Sequence, residues 1–324
     1  MIFTGIRPRF FITQSLIRLR ILAFRMIRHT FQMIPSVGRK KEAALWESGI
    51  RDWDDFLALD SIRFLKDSLK SDGDSLIYQA SEMLETGDSR MLGEIIPKGE
   101  HWRLYGSFRD DAAYLDIETD GLSRDSLVTV VTVHRRSGTA TLTHGIDLDE
   151  ETLSDALDGA KLLVTFNGSC FDIPVLKNSF PGLDFDIPQF DLRFASRKVG
   201  HRGGLKPLEI EMGIERPDGI EGVDGAMAVR LWRHWERSGD KDALDMLTEY
   251  NRADTVNLEP IAGKIYDKLV REYAGYLWRG PSREKREGSR RIRLLSLSEE
   301  CTEPLSGRGA CSPPDRTRRC GGRP

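Results

Sequence analysis

The sequence predicts an α/β chain: a mixed five-stranded sheet flanked by helices, with a small helical module in front of it. Three observations carry this. Short apolar runs of strand length, such as residues 112–115 and 161–166, end in charge or in a Gly-containing turn. Two strand-like runs, 127–135 and 138–144, meet at Gly138, the pattern of an antiparallel pair. Segments of helical periodicity stand between and after the strands, the longest over about 240–270 with Leu244, Leu247, Val256 and Leu258 among its apolar positions. With 324 residues the chain has enough length for one or two domains and a sizeable core.

Residues 1–28 read as a basic, amphipathic extension, with Met26 as an alternative start; a membrane-surface or nucleic-acid-binding helix is the functional alternative. Residues 29–88 read as the helical module. Residues 89–278 hold the sheet, with 90–108 as a lead-in. Strands are expected at 112–118, 127–135, 138–144, 161–166 and about 187–192. Helices are expected at 150–158, from Asp172 onward, at 205–212 and at 227–235, where Leu231 and Trp232 are core candidates. Residues 279–324, rich in Arg, Ser, Gly and Pro, cannot bury a core and are expected to be disordered.

The net charge of −3 hides an asymmetry. Residues 1–30 carry six Arg and no acid, and residues 279–324 carry twelve basic against six acidic residues. The body between them then holds thirty basic and forty-five acidic residues, a net of −15. An acidic body speaks against extended, non-specific duplex binding, although the basic ends suit loose phosphate contacts. No apolar run reaches the 18 residues of a spanning helix. Arg18 and Arg20 break the apolar stretch at 10–24 and spoil it as a signal peptide, so a cytoplasmic protein without membrane attachment is expected. The four Cys and six His have no zinc-ligand spacing.

Four acidic residues carry the chemistry. Asp116 and Glu118 end an apolar strand and, being two apart, share one face of it. Carboxylates placed together on a core strand repel each other and resist burial unless cations compensate them. Magnesium and manganese, hard ions that prefer oxygen, are the natural compensation. Asp172 follows Asn167-Gly168 and Phe171 where a helix opens. Asp254 lies on the long helix with Tyr250 one turn earlier on the same face. A strand-borne Asp-x-Glu, a helix-start Asp and a helix-borne Tyr-x-x-x-Asp can thus converge on one point.

In order and spacing these segments resemble the three exonuclease motifs of the DEDD superfamily on the ribonuclease H-like fold. Glu249 stands where the histidine subtype has its His, so the tyrosine subtype fits. The Asn-x-x-x-Phe-Asp form of the second motif is similar to that of proofreading domains of family B DNA polymerases. Gly204-Leu205-Lys206, Trp232, the run Tyr250 to Val256 and the stretch from His29-Thr30-Phe31 to Phe56 resemble the YprB-like group. That resemblance spans about residues 29–275. It implies two divalent ions, Mg2+ or Mn2+, held by Asp116, Glu118, Asp172 and Asp254. Such ions, roughly 3.5–4 Å apart, activate water and stabilise the leaving oxygen of an in-line phosphoryl displacement. Tyr250 would orient the water or the phosphate, since a phenol with pKa about 10 is a poor base at neutral pH. Asn167 and Phe171 would flank the terminal nucleotide, and Thr119 and Gly121 would let the backbone approach its sugar.

Within the module, Ile34-Pro35-Ser36-Val37-Gly38-Arg39-Lys40-Lys41 resembles a helix-hairpin-helix element, whose helix-start amides meet a DNA phosphate. Ser36 departs from it where the motif has its first Gly; a packing turn is the alternative. Arg202, Lys206 and Arg216 are further candidates for contact with a substrate backbone.

The expected function is a metal-dependent 3′→5′ exonuclease acting on single-stranded DNA or RNA ends. The alternatives are a non-catalytic nucleic-acid-binding module and a structure-specific endonuclease. Protein partners are not readable from the sequence.

Overall fold

The structure is a computed structural model that describes residues 19–277 apart from residues 20 and 221. Expectations for most of the basic extension and for the tail beyond residue 277 lie outside the described residues. A 3-10 turn over Met26–His29 buries Met26 and Ile27 completely. Four helices follow: α1 (Arg39–Glu47), α2 (Trp53–Leu57), α3 (Asp67–Thr86) and α4 (Ser89–Ile95). Their boundaries follow local chemistry. Asp52 and Asp88 cap α2 and α4 by accepting from the amides of Asp55 and Met91. Gly87, at φ 73°, closes α3 in the left-handed conformation that Gly adopts without strain.

The lead-in expected over 90–108 is largely helical and runs on to Asp111, broken by extended backbone at Ile96 and Pro97. The 3-10 segment Lys98–Leu104, helix α5 (Tyr105–Phe108) and a last turn at Arg109–Asp111 replace the lead-in. The reason is packing: Trp102, Leu104, Tyr105 and Phe108 recur at helical intervals and are all buried.

The mixed five-stranded sheet is as expected. Strands β1 (Ala112–Thr119), β2 (Val128–Arg135), β3 (Gly138–Thr143), β4 (Leu162–Thr165) and β5 (Gln189–Asp191) lie in the order β3-β2-β1-β4-β5. β1, β2 and β3 are antiparallel, and β4 and β5 run parallel to β1. Helices α6 (Glu150–Leu157), α7 (Asp172–Ser179), α8 (Leu192–Lys198), α9 (Leu205–Met212), α10 (Gly225–Ser238) and α11 (Lys241–Leu277) complete the unit. α11 has 37 residues, about 55 Å of helix, and keeps Pro260 in its interior.

Alternation along β1 sorts the core into two faces. Ala113, Leu115 and Ile117 join Leu153, Leu157, Ile173 and Leu176 beneath α6 and α7. Ala112 and Tyr114 point the other way, into a core shared with the module and α11, where Phe31, Trp53, Phe56, Ile261 and Ile265 are fully buried. Each such side chain contributes about 1.5–3 kcal/mol on burial. Module and sheet therefore share one continuous apolar core. Asp116 and Glu118 extend the α11-facing row of β1, and this register puts their carboxylates beneath that helix.

Candidate metal centre

Three separate elements build the site. β1 supplies Asp116 and Glu118, paired across the ladder with Thr132 and Val130 of β2. The register then slips by one residue between Glu118 and Thr119, a bulge that ends regular pairing at the carboxylates. From mid-α11, Tyr250, Asn251 and Asp254 face the same point. Carboxylate oxygens of Asp116, Glu118 and Asp254 come within 4.8 Å of one another, a grouping that could hold a metal ion. Asp172 is the first residue of α7 rather than its cap. Its side chain is buried, and its charge bears on both Asp116 and Glu118.

The electrostatics of the cluster favour a cation. Burial, then the neighbouring carboxylates, push Asp116 well above the ordinary carboxylate range. Burial followed by Asp254 and Asp172 lifts Glu118 to about 8. Burial lifts Asp172 to about 7, against backbone amides, including that of Ile117, that favour its charge. Asp254 is also raised by burial, although Arg216 and Tyr250 oppose this. Buried carboxylates that disfavour one another's ionisation are the donor set for hard divalent cations. These residues fit the metal that the ribonuclease H-like resemblance implies.

Supporting residues escaped the sequence reading. Asn251, fully buried, donates from Nδ2 to Asp116 Oδ2 at 2.8 Å and fixes that carboxylate's orientation. Asp191, at the end of β5, cages the loop before Asp172. It accepts from the Asn167 and Ser169 amides at 2.9 and 3.2 Å and from Ser169 Oγ at 2.5 Å. The loop needs the cage, because Asn167 takes a left-handed φ of 71° and Gly168 lies where a Cβ would come within 2.5 Å of Thr165. Asn251 had its place in the Tyr250-to-Val256 run but no signal of its partner, and Asp191 had only its place at the end of a short strand.

The other predicted site residues stand as follows. Tyr250 lies by Asp254, and burial followed by that carboxylate holds the phenol above its ordinary value. Asn167 lies in the loop beside Asp172, with its Oδ1 accepting from Arg193 at 2.5 Å. Phe171 is half-buried and packs on the core beneath α6 and α7. Thr119 Oγ1 donates to the Gly121 carbonyl at 2.6 Å and closes the turn after β1. A cavity of about 870 Å3 lies to one side, between the 3-10 segment, β5 and α8, and touches the site only through Ser169 and Asp191.

Residues 113–266 match the profile of the RNase_H superfamily, and the fold is ribonuclease H-like. Similar solved structures include one described as the apo form of the nuclease. It is 20% identical, covers 60% of this chain and 90% of its own, and has a TM-score of 0.37. Another is Escherichia coli RNase D, an exoribonuclease involved in structured RNA processing. It is 19% identical over 63% of this chain, with a TM-score of 0.37, and the match spans about half (49%) of its length. No curated protein matches the chain. No helix among the described residues is long and apolar enough to cross a membrane.

Proposed function

We propose that the chain is a metal-dependent nuclease, a 3′→5′ exonuclease of the tyrosine DEDD type acting on single-stranded DNA or RNA ends. The observation that carries the reading is the meeting of Asp116, Glu118 and Asp254 oxygens within 4.8 Å, although Glu118 and Asp254 are 136 residues apart in sequence. Asp116, Glu118, Asp172 and Asp254 would hold Mg2+ or Mn2+. Ions bound there supply an activated water and charge stabilisation at the leaving 3′ oxygen. Asn251 keeps Asp116 aimed at the cluster. Tyr250, held neutral, is suited to donate a hydrogen bond and not to act as a base, so it orients the water or the scissile phosphate. Asn167, Phe171, Thr119 and Gly121 are proposed to line the terminal nucleotide.

In the module, Ser36 at φ 64° gives the turn before α1 the left-handed geometry that suits Gly, and Gly38 opens α1 with Arg39 and Lys40 exposed. This supports a phosphate contact by the helix-hairpin-helix-like turn.

One observation favours the second reading, a binding module without turnover: Asp254 is already paired with a cation, Arg216. The test uses 5′-labelled single-stranded DNA and RNA, incubated with wild type and Asp116→Ala in Mg2+, Mn2+ or EDTA. A metal-dependent ladder of shortened products, absent in a folded Asp116→Ala protein, is expected. Intact oligomers with a gel shift would transfer the reading to the binding module, and cleavage of a circular substrate would transfer it to an endonuclease.

A further inference from the structure

Arg216 stands between α9 and α10, and its guanidinium meets two carboxylates from different helices. Its Nε donates to Glu209 Oε2 at 2.7 Å, and a terminal nitrogen pairs with Asp254 Oδ1. Glu209 is only 1% exposed, and its other oxygen accepts from Asn257 Nδ2 at 2.7 Å. Asn257, itself buried, lies on the same helix as Asp254. Both oxygens of Glu209 are thus engaged, one by the amide and one by the guanidinium. Glu209 therefore holds Arg216 and does not offer itself to the metal cluster. A buried carboxylate demands a partner, and here the partner is a cation that also meets Asp254.

Lys206 provides the contrast. Its Nζ lies 5.0 Å from the centre of the Tyr250 ring, comparable with 5.7 Å for the Arg216 guanidinium. Of these two cations, Arg216 is the one paired with a carboxylate of the cluster. One cation acts on the site by its field, the other by occupying a ligand oxygen.

We propose that Arg216 is a positioning residue that competes with a divalent ion for Asp254, and that Glu209 with Asn257 anchors it for that purpose. Loading the site then exchanges one cation for another, so Asp254 is never a bare buried charge. This inference rests on the nuclease reading, and it predicts that Arg216 sets the affinity of the ion that Asp254 shares.

The test is Mn2+ binding to the full-length protein without nucleic acid, by calorimetry or by the loss of the free-ion spin-resonance signal. Wild type, Arg216→Gln, Arg216→Lys and Lys206→Gln are compared, with circular dichroism to confirm folding. Arg216→Gln is expected to bind Mn2+ on the order of tenfold more tightly, because the ion no longer has to displace a competing cation from Asp254. Arg216→Lys, which keeps a cation at Asp254, should stay near wild type. Lys206→Gln should give a clearly smaller gain. Equal gains from Arg216→Gln and Lys206→Gln would reduce the effect to general charge and overturn the proposal, as would unchanged or weaker binding in Arg216→Gln. Mn2+ bound alike by wild type and Arg216→Gln removes this inference alone, whereas Mn2+ bound by neither removes the nuclease reading with it.

Discussion

At the scale of single residues, the cluster's stability should run against its function. Unfolded carboxyls titrate near 4, whereas Glu118 and Asp172 titrate at about 8 and about 7 in the fold, with Asp116 well above its ordinary value. Between those limits the folded chain binds more protons than the unfolded one, so stability falls as pH rises through the window. The metal-free protein should therefore melt at a lower temperature at pH 8 than at pH 5.5. Mn2+ should restore stability at pH 8 and much less at pH 5.5, where protonated carboxyls are poor ligands. Scanning calorimetry at both pH values checks this, and a rising melting temperature with pH in the metal-free protein would contradict it. By the same reasoning Asp116→Asn should raise the melting temperature of the metal-free protein at pH 8 while weakening metal binding. Asn251→Ala removes the bond that aims Asp116; Mn2+ affinity should fall on the order of 10–100-fold, measured by titration, with secondary structure intact.

At the scale of elements, the second acidic segment depends on a loop rather than on a residue. Gly168 leaves no room for a side chain against Thr165, and the Asp191 carboxylate holds the amides around it. Gly168→Ala forces a Cβ into Thr165, an overpacking that costs typically about 1–3 kcal/mol. It should also displace Asp172 at the adjoining helix start. The expected result in urea denaturation is a lower midpoint, together with weaker Mn2+ binding; unchanged values for both would show that the loop absorbs the methyl group. α9, which carries Lys206 and Glu209, is tied to α11 by Lys264 donating to the Met212 carbonyl at 2.6 Å and by Lys268 meeting His201 Nε2 at 2.6 Å. His201 in turn meets Glu211 at 2.6 Å, so the cations over the site are held by the same helix that carries Asp254.

At the scale of the whole molecule, one buried charge joins module to sheet. Arg103, fully buried, donates to Glu42 of α1 and to Glu100, both at 2.9 Å, and stacks 4.5 Å over the Tyr273 ring of α11. Arg103, Lys198 and Arg39 hold Glu100 at about 2 despite its burial. Glu42 also accepts from Thr30, the Phe31 amide and Gln32, so the chain before α1 hangs on the same group. Removing one partner of a buried pair strands the other and costs about 3–5 kcal/mol. Arg103→Ala should therefore lower the unfolding free energy by that amount in urea denaturation, although Arg103 lies outside the carboxylate cluster. A loss below about 1 kcal/mol would mean that module and sheet hold together by apolar contact alone.

What the sequence determined was local. Period-two spacing placed Asp116 and Glu118 on one face of a strand, helical spacing put Tyr250 and Asp254 on one side of a helix, and short apolar runs with their turns set the strands. These are properties of neighbours in the chain, and the repeat of a strand or a helix is enough to read them. The helical run up to Asp111 was missed because short 3-10 and α turns leave a weak period, and burial against the sheet decides them. Asn251 against Asp116, Asp191 against the Asn167 loop, and Glu209 with Arg216 against Asp254 join residues that are far apart in sequence and carry no spacing signal. Only the tertiary structure decided those pairs, because a buried carboxylate takes whichever donor the packing of strand, loop and helix brings within about 3 Å of it.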